Sequence, residues 1–274
     1  MSPRGPHLPV FGLCRFSYPA EGGFQVEHDD LGTRRAYLYD PARMEERFRL
    51  FEHLCLPGIA AQTDGDFTLG IVVDECLPEA YMARLLDVTE PVPQCVVMPT
   101  PPWQNHREVM RDALTALRGG TDTACLQFRH DDDDAVNIRF VEKLREMAAD
   151  CPGLLERHRI VGFDFNTGIQ ARIDAGGIAL RRDVYPQIGL ALGVHLRKGE
   201  RRSIFNFSHN KLARNIPVLS DPAPDMWLRG YNDFNDSRSG KNVSREKLSP
   251  ATPEDEEILR RDFALDLAAL RAAV

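Results

Sequence analysis

The sequence has no Cys-x-x-Cys pair: its 6 cysteines stand far apart, at positions 14, 55, 76, 95, 125 and 151. That spacing excludes a zinc knuckle or a thioredoxin-like redox site. Cysteines in apolar runs such as QCVVMP and TACLQF behave as small core hydrophobes, so all are expected to be reduced core residues. An excess of basic charge is also lacking. The 34 Lys and Arg against 41 Asp and Glu leave a net charge of -7, which argues against a protein built to neutralise nucleic-acid phosphates. No uncharged run approaches the ~20 apolar residues of a membrane span. The uncharged stretch from Pro91 to Asn105 is interrupted by proline. The opening MSPRGPHLPVFGLCRF has no small-residue cleavage site, so no signal peptide and a cytoplasmic setting are expected. The sequons at Asn206, Asn235 and Asn242 carry no meaning there.

What is present is an ordinary globular balance, 43% hydrophobic and 27% charged residues in a chain of 274. A chain of this length buries well over half of its unfolded surface without staples. Val10–Phe16 reads as a buried strand. A helix is expected from Pro41, capped by Asp40, with Met44, Phe48, Phe51, Leu54 and Cys55 on one face and an end near Pro57-Gly58. Phe67–Val73 and QCVVMP read as strands, and Asn105–Leu117 as a helix stopped by Gly119-Gly120. ACLQFR is a further strand running into HDDDD, with a helix expected over Ala135–Ala149.

Alternating strands and helices point to an α/β fold with a mostly parallel central sheet flanked by helices. Ligands in such sheets bind beyond the carboxyl ends of the strands. Polar clusters gather there: Arg15 to Ser17, Asp74-Glu75 and Asp131 to Asp134. The second half is mixed. Short strands are expected at Arg159–Phe165, Gly168–Ile173, Gly177–Arg182 and Ile188–Val194. A final amphipathic helix follows Pro253, using Ile258, Leu259, Phe263, Leu265, Leu267 and Leu270. No repeat or long linker divides the chain, so residues 1–274 are expected to form one domain.

Four consecutive aspartates repel one another unless something positive answers them. A helix N-terminus would answer one or two. A divalent cation would answer more, since Mg²⁺ or Mn²⁺ takes hard carboxylates plus substrate phosphate oxygens. Alternation along a strand end lets Asp131 and Asp133 reach one ion. An EF-hand is not expected, because no glycine stands at the sixth loop position, which is Val136 when counted from Asp131.

The segments LPGIAAQTDGDF and FRHDDDDA, with SHNKL and DMWLRGYNDFND later, resemble the rhamnosyltransferase family of bacteria. That family is similar in turn to GT-A nucleotide-sugar glycosyltransferases, whose fold is Rossmann-related. Arg129 to Ala135 fits its Arg-x-Asp-x-Asp-Asp-Ala pattern. The resemblance implies a donor half over about 8–150 and an acceptor-side half over about 151–274. It implies Mn²⁺ or Mg²⁺ on Asp131, Asp133 and Asp134, with His209 completing the shell. Donor contacts are implied for Arg15, Ser17, Tyr18, Asp74, Arg107 and Asp132, although a turn or an exposed helix arginine explains several of these equally. Asp225, then Asp233, are the implied bases for the acceptor hydroxyl. Trp227 is either a sugar-stacking platform or core. The basic stretch Lys198 to Arg202, with Arg181 and Arg182, is either a solvated loop or an anion site.

The expected activity is metal-dependent, inverting transfer of a sugar, rhamnose by family, from a dTDP- or UDP-linked donor. The acceptor would be a hydroxyl of a glycan, a lipid-linked saccharide or another molecule; no nucleic acid and no integral membrane segment are involved. The rivals are a metal-dependent nucleotide phosphohydrolase, which needs a second metal, and a non-catalytic nucleotide-sugar-binding module.

Overall fold

The computed structural model describes residues 7–23, 28–174, 176–231 and 248–273. The chain as far as Arg157 contributes strands β1 (Val10–Arg15), β2 (Thr68–Asp74), β3 (Cys95–Thr100), β4 (Cys125–Asp131) and β5 (Asp134–Val136). Its helices are α1 (Leu31–Leu38), α2 (Pro41–Leu50), α3 (Leu56–Ala60), α4 (Glu79–Thr89), α5 (His106–Arg118), α6 (Phe140–Asp150) and α7 (Pro152–Arg157). The remainder contributes β6 (Ile160–Phe165), β7 (Thr167–Asp174), β8 (Gly177–Val184), β9 (Leu192–Leu196), β10 (Val218–Asp221), β11 (Trp227–Tyr231) and β12 (Ser249–Pro250), then α8 (Pro253–Phe263) and α9 (Leu267–Ala272).

Two sheets result. The larger runs β10-β6-β9-β4-β1-β2-β3, and the smaller runs β12-β8-β7-β11-β5. In the larger sheet only β9 is antiparallel to its neighbours, so this is the mostly parallel α/β sheet that the alternating pattern anticipates. Its β1, β2 and β4 are almost wholly buried, as strands covered on both faces must be. One apolar cluster packs Phe16, Phe48, Phe51 and Phe128 against one face, and a second packs Leu13, Met110 and Leu114 against the other. A third joins the small sheet to α8 and α9 through Ile169, Leu228, Leu259 and Leu270. Among the described residues no helix is long and apolar enough to cross a membrane.

Several local expectations are corrected. The helix beginning at Pro41 is capped by Asp40, whose carboxylate accepts the Arg43 N–H, but it does not stop at Pro57. A π-helical turn over Phe51–Cys55 absorbs the register change, and α3 restarts with Pro57 in its first turn, where a missing N–H costs nothing. Gly58 lets this helix press on β5, since a Cβ there would lie 2.5 Å from the Val136 carbonyl oxygen. No helix starts at Ala135. Residues 134–136 pair instead with β11 as a strand, and α6 begins only at Phe140. The expected strand at Ile188 starts at Leu192, because Gln187, Gly189 and Ala191 take left-handed φ angles that no ladder accommodates. The last helix is broken by left-handed Ala264 into α8 and α9.

Cys14, Cys55 and Cys125 are buried free thiols, whereas Cys76 is exposed and is not core. Trp227 is fully buried; its ring packs over Gly168, where a Cβ would lie 2.2 Å from it. Trp227 is therefore core and no stacking platform. In the basic stretch Lys198, Arg201 and Arg202 are exposed and only Glu200 is buried; it takes Arg159 at 3.0 Å and Arg202 at 2.9 Å, and Arg118 donates to its backbone oxygen.

Candidate active site

The carboxyl ends of β1 and β4 lie side by side, with Arg15 directly opposite Asp131 in the parallel register. Beyond Asp131, residues Asp132 and Asp133 form a two-residue turn that carries the chain from the large sheet into β5 of the small one. The four aspartates thus bunch at the seam between the two sheets. A cavity of about 370 Å³ opens there. Asp131 to Asp134 line it together with Arg15, Arg47, Arg129 and Arg229. His106, His130, His209 and Phe205 add to its wall, as do Leu13, Ile188 and Leu190.

Arg47, on the buried face of α2, reaches Asp132 at 2.7 Å and Asp133 at 3.0 Å. Burial pushes the Asp132 carboxyl up to about 6, against the pull of Arg47. The Asp134 carboxyl is also raised well above the usual carboxylate range, by burial and then by the charges of Asp133 and Asp131. It accepts the Gly230 N–H at 2.9 Å. Gly230 has to be glycine, since a Cβ would lie 2.5 Å from the Asp133 carbonyl oxygen. Asp131, by contrast, is exposed to the opening.

The opposite wall is basic and aromatic. Arg129 stacks on Phe205, 5.1 Å from the ring centroid, and donates to the carbonyl oxygens of Ile204 and Phe207 rather than to a carboxylate. Burial lowers it to about 10. His106 meets the same ring edge-on and is pushed down to about 3 by burial and by the charges of Arg15, Arg129 and Arg107. It is neutral at physiological pH. His209 is also held below the ordinary histidine value, chiefly by burial, and its Nδ1 lies 2.7 Å from the Gln187 carbonyl oxygen.

The cavity therefore gathers Arg15, Asp131, Asp132, Asp133, Asp134 and His209 of the residues singled out in the sequence. The other described ones stand elsewhere. Tyr18 is buried and donates to the Pro101 oxygen at 2.6 Å, and Ser17 is a buried left-handed turn residue that accepts from Arg43. Asp74 is fully buried and saturated: Arg35 binds both its oxygens, Tyr39 donates at 2.6 Å and the Cys76 N–H at 2.9 Å. That leaves its carboxylate no capacity for a nucleotide base in this arrangement. Arg107 is exposed at the start of α5 and does not line the cavity. Asp225 is paired with Arg182 at 2.9 Å, also away from the lining. Asp233 lies outside the described residues.

Sequence reasoning missed Arg47, Arg229 and His106, and gave Arg129 no role. Arg47 carried a usable signal, because it follows Arg43 by four residues on a helix whose neighbours Met44 and Phe48 face the core.

Among the described residues no three His, Cys, Asp or Glu side chains converge closely enough to cage an ion unaided. A hard cation such as Mg²⁺ needs only one or two carboxylates when substrate phosphate oxygens and waters complete its shell. The donor set of crowded carboxylates, with Asp131 exposed to the opening, fits such an ion.

The sequence profile of a family described as "Putative rhamnosyl transferase" matches residues 9–243. No curated protein matches the chain. Among solved structures, S. aureus TarS 1–349 in complex with UDP is 11% identical over 82% of this chain and 61% of that one, with a TM-score of 0.42. The same fragment with UDP-GlcNAc is 12% identical over 93% and 65%, also with a TM-score of 0.42. A "putative nucleotide-diphospho-sugar transferase" from Desulfovibrio desulfuricans G20 is 15% identical over 97% of both chains, with a TM-score of 0.36. The chain spans less than two thirds of the length of the two TarS structures.

Proposed function

This chain belongs to the rhamnosyl transferase family, and we propose that its cavity binds a nucleotide-activated sugar with a divalent cation and transfers the sugar to a hydroxyl acceptor. One observation carries the reading: four arginines and four consecutive aspartates line the same cavity. Their formal charges cancel. A nucleoside diphosphate alone would add negative charge beside the aspartates, and a divalent cation bound with it restores the balance. The pair fits this cavity better than either part.

In this reading Asp131, Asp133 and His209 would hold Mn²⁺ or Mg²⁺, which supplies charge neutralisation on the departing diphosphate. Arg15, Arg129 and Arg229 take the phosphate oxygens, for which the fork of a guanidinium is suited. Arg47 and the Gly230 N–H keep the aspartate turn in shape. The acceptor oxygen bonds to the anomeric carbon as the bond from that carbon to the diphosphate oxygen breaks. The nucleoside diphosphate leaves with the electron pair, and the acceptor's proton passes to a base. Attack opposite the leaving group inverts the anomeric centre. The family label supports a rhamnosyl donor; dTDP and UDP are the carriers to test.

The test is product analysis of the purified protein with dTDP-rhamnose and with UDP-hexoses, in MnCl₂ or EDTA, with simple glycosides as acceptors. Nucleoside diphosphate released only with metal, together with an extended glycoside, is the expected result. Nucleoside monophosphate and sugar phosphate as products would mean a phosphohydrolase and overturn the proposal.

A further inference from the structure

Part of the cavity wall comes from the loop of residues 185–191 between β8 and β9, which brings Ile188, Gly189 and Leu190 to the lining. Gln187 stands at φ 55 in that loop, a conformation L-residues rarely adopt. What holds it is Asp164 on β6. Both Asp164 oxygens accept the Gln187 N–H, at 3.1 and 3.0 Å, and the Ser220 hydroxyl donates to one of them at 3.2 Å. Asp164 is fully buried, and among the described residues no Lys, Arg or His side chain pairs with it. A buried carboxylate without a cation is costly, and rule-breaking groups of this kind concentrate where a site has to be shaped.

The consequence of the arrangement is felt at His209. The Gln187 carbonyl lies 2.7 Å from His209 Nδ1, and the Gln187 side-chain oxygen accepts the Ala213 N–H at 3.0 Å, which ties down the 3₁₀ turn His209–Arg214 that carries the ring. Gly189 leaves room for the ring, since a Cβ there would lie 3.2 Å from it. A carbonyl can only accept, so Nδ1 has to carry the proton. In the neutral ring the lone pair is then on Nε2. Outer groups that fix the tautomer and angle of a histidine in this way govern its affinity for what it binds.

We propose that Asp164 and Gln187 are positioning residues: the buried carboxylate sets the Gln187 main chain, whose carbonyl locks His209 as the Nδ1–H tautomer and leaves Nε2 for the ligand of the cavity. What Nε2 meets rests on the nucleotide-sugar and cation reading; the lock itself does not.

Long-range ¹H–¹⁵N correlation of the histidine rings in the full, ligand-free, ¹⁵N-labelled protein at pH 7.5 reads the tautomer directly, with His209→Gln identifying the resonances. The wild type and Ser220→Ala are expected to show protonated Nδ1 and unprotonated Nε2 at His209. Asp164→Ala is expected to lose that preference and show a mixture or the Nε2–H form. Nε2–H in the wild type, or an unchanged Nδ1–H ring in folded Asp164→Ala, would overturn the lock; if that variant does not fold, Asp164→Asn is judged by the same criterion. A second measurement titrates UDP and dTDP with MnCl₂. Asp164→Asn and His209→Gln should each weaken binding about tenfold, and the double variant should be no weaker than His209→Gln alone. Additive losses would overturn the relay. Failure of the wild type to bind either nucleotide would count against the proposed function and leave the tautomer result standing.

Discussion

Arg47 is the cation on which the aspartate turn most directly depends, and its removal has a calculable consequence. Its side chain is 7% exposed and holds Asp132 and Asp133, whose side chains are 8% and 12% exposed. Arg47→Met keeps much of the side chain's length but takes from two buried carboxylates the cation that bridges them. Breaking a buried pair from one side costs about 3–5 kcal/mol, a fall in melting temperature on the order of 10 °C for a chain of this size. The cost should depend on pH. Asp132 already stands at about 6 in the folded protein, above the unfolded value of about 4. Stability from such a raised carboxyl is complete below about pH 4 and is lost as the pH rises through the folded value. Without Arg47 the folded value rises further, so the loss continues to higher pH. Urea unfolding of wild type and variant should show a small difference at pH 5 and the full difference at pH 8. MnCl₂ should stabilise the variant more than the wild type, because the cation replaces the missing charge. A cost below about 1 kcal/mol at pH 8, or one that does not change with pH, would refute the reasoning.

Two other outcomes follow from single contacts. Gly58→Ala drives a methyl group against the Val136 carbonyl oxygen, 2.5 Å away, and should cost about 1–3 kcal/mol in thermal unfolding. Glu200 is held down to about 2, first by the Arg202 side chain and also by Arg159, against burial. A depressed carboxylate stabilises fully above its unfolded value of about 4.3 and loses that contribution as the pH falls towards 2. Glu200→Gln should therefore lower the melting temperature at pH 7 and make little difference near pH 2.5.

The parts of the molecule legible in the sequence are those fixed by local chemistry. Asp40 before Pro41, Asn105 before α5 and left-handed Gly119 after it mark helix ends by backbone hydrogen bonding alone, and the apolar runs of β1, β2 and β4 mark strands buried on both faces. The Arg-His-Asp-Asp-Asp-Asp run was legible as a site because four adjacent like charges need an answer. Its local structure was not. A helix cap and a strand-to-strand turn both suit aspartates, and only the distant β11, pairing Arg229 opposite Asp134, decides for the turn. Distance along the chain also hid the partners. Arg47 is 85 residues from Asp132, and Phe205 meets Arg129 through a fold contact that no periodicity announces. Asp74 shows the converse: its place at a strand end suggested a ligand contact, but Arg35 and Tyr39 on or beside α1, a helix with few apolar positions, consume it.

The central claim is that one cavity takes a nucleoside diphosphate and a divalent cation together, on Asp131 and Asp133. The most direct measurement is the thermal shift of the wild type and of the Asp131→Asn, Asp133→Asn double variant with UDP or dTDP, each in MnCl₂, MgCl₂ or EDTA. At a hundredfold excess over the dissociation constant a ligand contributes about 2.7 kcal/mol, several degrees for a chain of this size. The account predicts that shift for one nucleotide in the wild type, only with metal, and none in the double variant with its unliganded melting transition intact. An equal shift in EDTA, or a metal-dependent shift that survives both substitutions, would contradict it.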